Sequence, residues 1–245
     1  MKSVLIPLAQ GCEELEAVTV IDLLRRAQIE VVTAGLEAGP VRCSRGTVLV
    51  PDAPLDAVMG RDFDMIVLPG GLPGAKNLDE DERVHGLLRR HHAEGRFAAA
   101  ICAAPKVLAS AGLLAGKSAT SYPGAVRMED FPEVDLLDAP VVVDGKVITS
   151  RGPGTAMDFA LQLIELLAGR AKRQVDSTSR PPSASARRLP SRRPAISSGT
   201  SRWPAMARPL PTTTIPSRPA ATRPPKILPR AQPAELTGRS PCRAS

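Results

Sequence analysis

The chain is poor in the residues from which metal sites and histidine-based catalytic centres are built. Its 245 residues include only three histidines, His85, His91 and His92, and four cysteines, Cys12, Cys43, Cys102 and Cys242. The cysteines form no CxxC and have no metal-ligand spacing, so no metal site is expected. No histidine stands beside Cys102, and a Cys-His-Asp triad is not visible. The three histidines share one predicted helix, where solvated or core positions account for them. No apolar run approaches the roughly 18 residues a membrane helix needs. The opening Met1-Lys2-Ser3-Val4-Leu5-Ile6-Pro7 is too short and too interrupted for a signal peptide. The expectation is a soluble cytoplasmic protein with no membrane contact. In a reducing cytosol a lone cysteine is more often chemical than structural.

Acidic residues are nearly absent from the C-terminal part. Residues 175–245 hold 13 Lys+Arg and 2 Asp+Glu, whereas residues 1–174 hold 19 and 23. The net charge of +7 therefore describes the tail alone. The tail carries 14 prolines and no sustained hydrophobic period. It cannot bury enough apolar surface to offset its ordering entropy, so disorder is expected. Its positive charge could make weak, nonspecific contacts with nucleic acid. It reads more readily as an unselected extension, since a Pro/Arg/Ala/Ser bias is what GC-rich DNA encodes out of frame.

Residues 1–174 alternate strands and helices. Val4–Leu8, Ile29–Ala34, Met65–Leu68 and Phe97–Ile101 are solid apolar runs, as strands buried on both faces require. Thr47–Val50 predicts a further strand, paired in a hairpin with Val41–Cys43. Helices are predicted over about residues 14–27, 81–94 and 156–167, the last closed by Gly169. Asp144-Gly145 between two valine-rich segments predicts a β-hairpin. The pattern is that of one doubly wound α/β domain, with a mostly parallel sheet sandwiched by helices.

Cys102 ends the apolar run Phe97-Ala98-Ala99-Ala100-Ile101 and precedes a predicted helix with Pro105 in its first turn. At such a junction unpaired N–H groups and the positive end of a helix dipole surround the thiol. A depressed thiol pKa and a nucleophilic thiolate are expected. In an open α/β sheet, sites form at the carboxyl ends of strands. Three segments end there: 10–16, Pro69-Gly70-Gly71 and Cys102. Gly70-Gly71 can present bare N–H groups to an oxyanion. Glu13, Glu14 and Glu16 bring carboxylates to the same edge, and spacing does not say which of them meets the thiol. A carboxyl beside a buried thiolate would have a raised pKa and donate a hydrogen bond to sulfur.

Val67-Leu68-Pro69-Gly70-Gly71, Ala99-Ala100-Ile101-Cys102-Ala103-Ala104-Pro105 and Thr149-Ser150-Arg151-Gly152-Pro153-Gly154-Thr155 resemble the ThiJ/PfpI superfamily, and in particular its parkinsonism-associated protein deglycase branch. Gly11-Cys12-Glu13-Glu14-Leu15-Glu16 matches the acidic segment that follows the first strand in that family. The resemblance covers about residues 1–174. It implies a flavodoxin-like sandwich, a homodimer and no cofactor. It implies Cys102 as a nucleophile readily oxidised to sulfinate, and Glu16 as the protonated acid facing it. The N–H groups of Gly71 and Ala103 would hold the oxyanion, and Arg45 and Arg151 would lie near the site and the dimer interface. Tyr122 stands where many members carry a histidine, which removes a proton shuttle from that position. Protease members place a histidine directly after the cysteine, and Ala103 here argues against peptide hydrolysis.

The resemblance implies cofactor-free detoxification of reactive dicarbonyls, either glyoxalase conversion of methylglyoxal to lactate or deglycation of early glycation adducts. An oxidative-stress sensor or holdase chaperone acting through oxidation of Cys102 is the alternative. A binding protein with a basic tail and a vestigial catalytic domain is a third reading.

Overall fold

The computed structural model describes residues 1–177. The chain runs β1 (Ser3–Leu8), α1 (Glu14–Arg26), β2 (Glu30–Gly35), β3 (Val41–Arg42), β4 (Val48–Leu49), β5 (Ala53–Pro54), β6 (Met65–Leu68), α2 (Leu72–Asp79), α3 (Glu82–Ala93), β7 (Phe97–Ile101) and α4 (Pro105–Ser110). It continues through β8 (Ser118–Ala119), β9 (Asp135–Leu136), β10 (Val141–Asp144), β11 (Val147–Ser150), α5 (Ala156–Ala168) and α6 (Arg170–Ser177). Helix α6 crosses the expected domain boundary at residue 174. The rest of the basic tail, with its expected disorder and nucleic-acid contact, lies outside the described residues.

Seven strands form one sheet in the order β10-β11-β7-β6-β1-β2-β5. Every pairing is parallel except the β10–β11 hairpin. Alternation along each strand sends side chains to opposite faces. From β1, Val4, Ile6 and Leu8 enter a core with Val20 and Leu24 of α1 and Phe159, Leu163 and Ile164 of α5. Leu5 points the other way, into a core with Ile66, Leu68, Leu78, Leu87, Leu88 and Leu108. Each such buried side chain stabilises the fold by roughly 1.5–3 kcal/mol. This is the expected doubly wound, flavodoxin-like architecture.

Two features position the site. From β1 the chain moves outward to β2 and β5 on one side, while β6 begins the other half on the opposite side. The crevice therefore opens where β1 and β6 end side by side. The second feature is α2, which the residues did not announce: Leu72-Pro73-Gly74 reads as a turn. Pro73 fits the first helical turn. Gly74 is required because a Cβ there would stand 2.5 Å from Cys12 Cα.

Candidate active site

Helix α1 sorts its three glutamates. Its buried residues are Glu16, Ala17, Val20, Leu23 and Leu24, so Glu16 occupies the core-facing stripe one turn before Val20. Its side chain is fully buried, and Oε2 accepts a 2.8 Å hydrogen bond from the Gly70 N–H. Glu14 turns instead to the β3–β4 hairpin and accepts from the Arg45 and Thr47 N–H groups and the Ser44 hydroxyl. Desolvation would raise its pKa, but these donors outweigh it and hold the carboxyl at about 2. Glu13 accepts a 2.6 Å hydrogen bond from Ser44 Oγ.

Cys102 directly follows β7 in a left-handed conformation with φ of 64°, which a non-glycine residue adopts only at a cost of about 1–3 kcal/mol. Two hydrogen bonds hold it there. Its N–H donates to the Ser150 carbonyl at 2.9 Å, and its carbonyl accepts from the Tyr122 N–H at 2.8 Å. The resulting bend turns the side chain back toward Gly70. A Cβ on Gly70 would lie 2.6 Å from Cys102 Cβ and 2.7 Å from Glu16 Oε2. The thiol and the carboxyl therefore meet across the bare Cα of Gly70. The N–H groups of Gly71 and Ala103 lie close enough to the sulfur to favour its charged form.

The thiol does not have the depressed pKa expected from its place before a helix. Burial, then the charge of Glu16 and a hydrogen bond with it, push it up to about 12, against the pull of the two N–H groups. Glu16 is itself raised to about 7, chiefly by burial. Its Oε1 is buried without a hydrogen-bond partner. The two groups titrate as a pair. The first proton leaves near the pKa of Glu16. A thiolate beside a protonated carboxyl would have two N–H groups near its charge, whereas a carboxylate beside a thiol has the one from Gly70. With Glu16 neutral, its charge no longer opposes the thiolate.

A cavity of about 360 Å³ opens over Cys102, within the usual range for small-ligand pockets. Its lining includes the polar Glu13, Ser44 and Arg45 and the less polar Leu72, Pro73, Tyr122 and Pro153. Arg45 thus lies at the site as expected. Arg151 follows the Ser150 carbonyl that holds Cys102, but its guanidinium pairs with Asp138 and does not line the cavity. Tyr122 has its side chain at the cavity mouth and its backbone on Cys102. Sequence reasoning missed Ser44 and this backbone role of Tyr122, because both depend on distant segments meeting. The apolar stripe of α1 was a signal able to single out Glu16. A second cavity of about 400 Å³, at the other end of the sheet by Lys2, Asp64, Arg96 and Lys146, is lined by no cysteine. Among the described residues no cluster of potential metal ligands occurs, and no helix is long and apolar enough to cross a membrane.

An open α/β sheet that presents a left-handed cysteine to a buried glutamate after its central strands defines a thiol-centred α/β class. The DJ-1/PfpI family model matches residues 2–166, and the chain belongs to that family. It is 49% identical over 176 residues to Protein dj-1beta of Drosophila melanogaster, covering 71% of this chain and 93% of that protein. It is 39% identical over 172 residues to the glutathione-independent glyoxalase DJR-1.2 of Caenorhabditis elegans, covering 70% and 91%. The crystal structure of Drosophila melanogaster DJ-1beta superposes with a TM-score of 0.69 at 47% identity, covering 73% of this chain and 96% of that one.

The pairing of Glu16 with Cys102 makes a signed prediction. If Glu16 is protonated when the thiolate forms, removing its O–H raises the pH midpoint of Cys102 alkylation. If Glu16 is ionised, removing its charge lowers the midpoint. Alkylation by iodoacetamide, followed peptide by peptide in a mass spectrometer, should give midpoints rising from wild type to Glu16→Gln to Glu16→Leu, because the amide still donates and leucine does not. A Glu16→Leu midpoint below wild type would show that the carboxylate only repels the thiolate.

Proposed function

We propose that this protein detoxifies reactive dicarbonyls and their early glycation adducts by covalent catalysis at Cys102, with Glu16 as acid and base. The observation that carries the reading is the meeting of a thiol and a raised, buried carboxyl under a cavity of small-molecule size. The relative that bears the name of a glutathione-independent glyoxalase supports the same class of reaction.

In the glyoxalase reading, the Cys102 thiolate adds to the aldehyde carbon of methylglyoxal. The new oxyanion is held by the N–H groups of Gly71 and Ala103 and takes a proton. Glu16 then carries a proton from this carbon to the neighbouring one through an enediol. The first carbon is oxidised and the second reduced, so no external oxidant or reductant is consumed. Water cleaves the resulting thioester, releasing lactate and restoring the thiol. With a glycation adduct, Glu16 protonates the amine, the C–N bond breaks as the Cys102 sulfur takes its place on that carbon, and the same proton shift and hydrolysis follow.

The homodimer is proposed on a separate observation. Leu15 and Val18 of α1 and Val48 and Val50 of the hairpin region are 45–80% exposed. They give the chain apolar surface that a second copy would cover. Sedimentation of the purified chain at micromolar concentration should show a dimer, and a monomer there would remove this part of the reading.

Lactate formation from methylglyoxal, without added glutathione, tests the chemistry. Cys102→Ser should abolish it. Glu16→Gln should lower kcat by about 10²-fold or more, the usual contribution of a positioned acid–base group. Glu13→Gln should change it far less. Wild-type protein that makes no lactate and releases no amine from a glycated peptide would sink the enzymatic reading.

A further inference from the structure

Cys12 and Cys43 take no part in the chemistry assigned to Cys102. Cys12 lies in the turn between β1 and α1, and Cys43 directly follows β3. Both are buried free thiols, and their Sγ atoms are 3.5 Å apart. The backbone on either side fixes this approach. The Gly11 N–H donates to the Arg42 carbonyl at 2.8 Å, and the Ser44 N–H donates to the Cys12 carbonyl at 2.8 Å. The two residues therefore sit side by side on neighbouring hydrogen-bonded segments.

We propose that Cys12 and Cys43 are a modification site of this chain, closing to a reversible disulfide in the presence of a peroxide. The hydrogen bond between them divides the roles. Burial raises both thiols, but the shared bond raises Cys12 further and lowers Cys43. Of the two, Cys43 is the one that ionises first, with Cys12 holding its proton. The Cys43 thiolate attacks one peroxide oxygen, the O–O bond breaks, and hydroxide leaves, giving Cys43 sulfenic acid. The Cys12 sulfur then attacks the Cys43 sulfur, the S–O bond breaks, and its oxygen departs as water. Overall, two thiols and one hydrogen peroxide give one disulfide and two waters. A dithiol reductant reverses the change.

The position of the pair links it to the cavity. Glu13 and Ser44, which line the cavity, directly follow Cys12 and Cys43, and Arg45 comes one residue later. Gly71 and Gly74 pack on the same turn with no room to spare. A Cβ on Gly71 would stand 2.4 Å from the Gly11 carbonyl oxygen, and one on Gly74 2.5 Å from Cys12 Cα. Closing the sulfurs to the ~2.05 Å of a disulfide moves them about 1.5 Å together. In so close a contact that shift is passed on to Gly71, whose N–H faces Cys102. The inference does not depend on the dicarbonyl reading.

The test uses the full chain carrying Cys102→Ser and Cys242→Ser, which leaves only this pair, with Cys102→Ala as a second background. After hydrogen peroxide and a non-reducing tryptic digest, the segment Ser3–Arg25 should be joined to Cys43–Arg45 and be two hydrogens lighter than the separate peptides together. Dithiothreitol should release them. Hydrogen exchange over residues 68–75 should differ at least twofold between the oxidised and reduced forms, and the difference should vanish with Cys12→Ala. Two free thiols after peroxide, or two separate sulfinic acids, would overturn the proposal. A disulfide that leaves exchange at 68–75 unchanged would overturn its link to the cavity.

Discussion

The site depends on the space left empty at Gly70. Three chain segments end at the same edge of the sheet, and they can meet only because position 70 has no side chain. A methyl group there would fall within 2.6–2.9 Å of Cys102 Cβ, Glu16 Oε2 and the Ile101 carbonyl at once. Gly71 repeats the constraint one residue on, where a φ of 87° turns the backbone into α2 and aims its N–H at the thiol. Gly70 also ties the segments together: its N–H binds Glu16 and its carbonyl accepts the Glu13 N–H at 2.9 Å. The strained backbone of Cys102 is held from two further directions, by Ser150 and Tyr122.

This crowding decides the electrostatics. A carboxyl and a thiol forced together in a buried place cannot both ionise at moderate cost. Burial raises both, Glu16 raises Cys102 further, and the contact with Cys102 lowers Glu16, so the pair keeps one proton over a wide pH range. The N–H groups of Gly71 and Ala103 favour charge on sulfur, and that of Gly70 favours charge on the carboxyl. A thiolate with an acid beside it can add to a carbonyl and have a proton supplied within the same contact. The helix after Cys102, on which the simple expectation of an acidic thiol rests, contributes less than burial and Glu16.

Much of this was legible in the residues. Solid apolar runs ending in Gly-Gly, in Cys and in an acidic turn locate the strands and the edge where their ends gather. Cys102, Gly70 and Gly71 follow from local sequence, because a strand-to-helix junction is a local event, whereas the role of Ala103 came from family resemblance. Glu16 was open by spacing alone and came from family resemblance, although the stripe running from Glu16 through Val20 to Leu23 and Leu24 marks it as the inward-facing glutamate. What the sequence does not carry is contact between remote segments. The Ser44 bonds to Glu13 and Glu14, the Tyr122 N–H on Cys102 and the approach of Cys12 to Cys43 all join residues about 20–31 positions apart. The thiol pKa was misjudged for the same reason: the desolvation that raises it comes from the whole fold. Helix α2 was missed because Pro73-Gly74 reads locally as a turn, and only packing on Cys12 gives Gly74 its purpose.

The location of the shared proton is the central claim, and it can be seen directly. The carboxylic-acid carbonyl stretch of Glu16, assigned by its loss in Glu16→Gln, and the ultraviolet absorbance of the Cys102 thiolate, assigned by its loss in Cys102→Ser, should be followed on the wild-type chain as pH rises through about 7. The account predicts that thiolate absorbance appears through this range while the carboxylic-acid band persists. Loss of that band with no thiolate absorbance would place the proton on sulfur and contradict it.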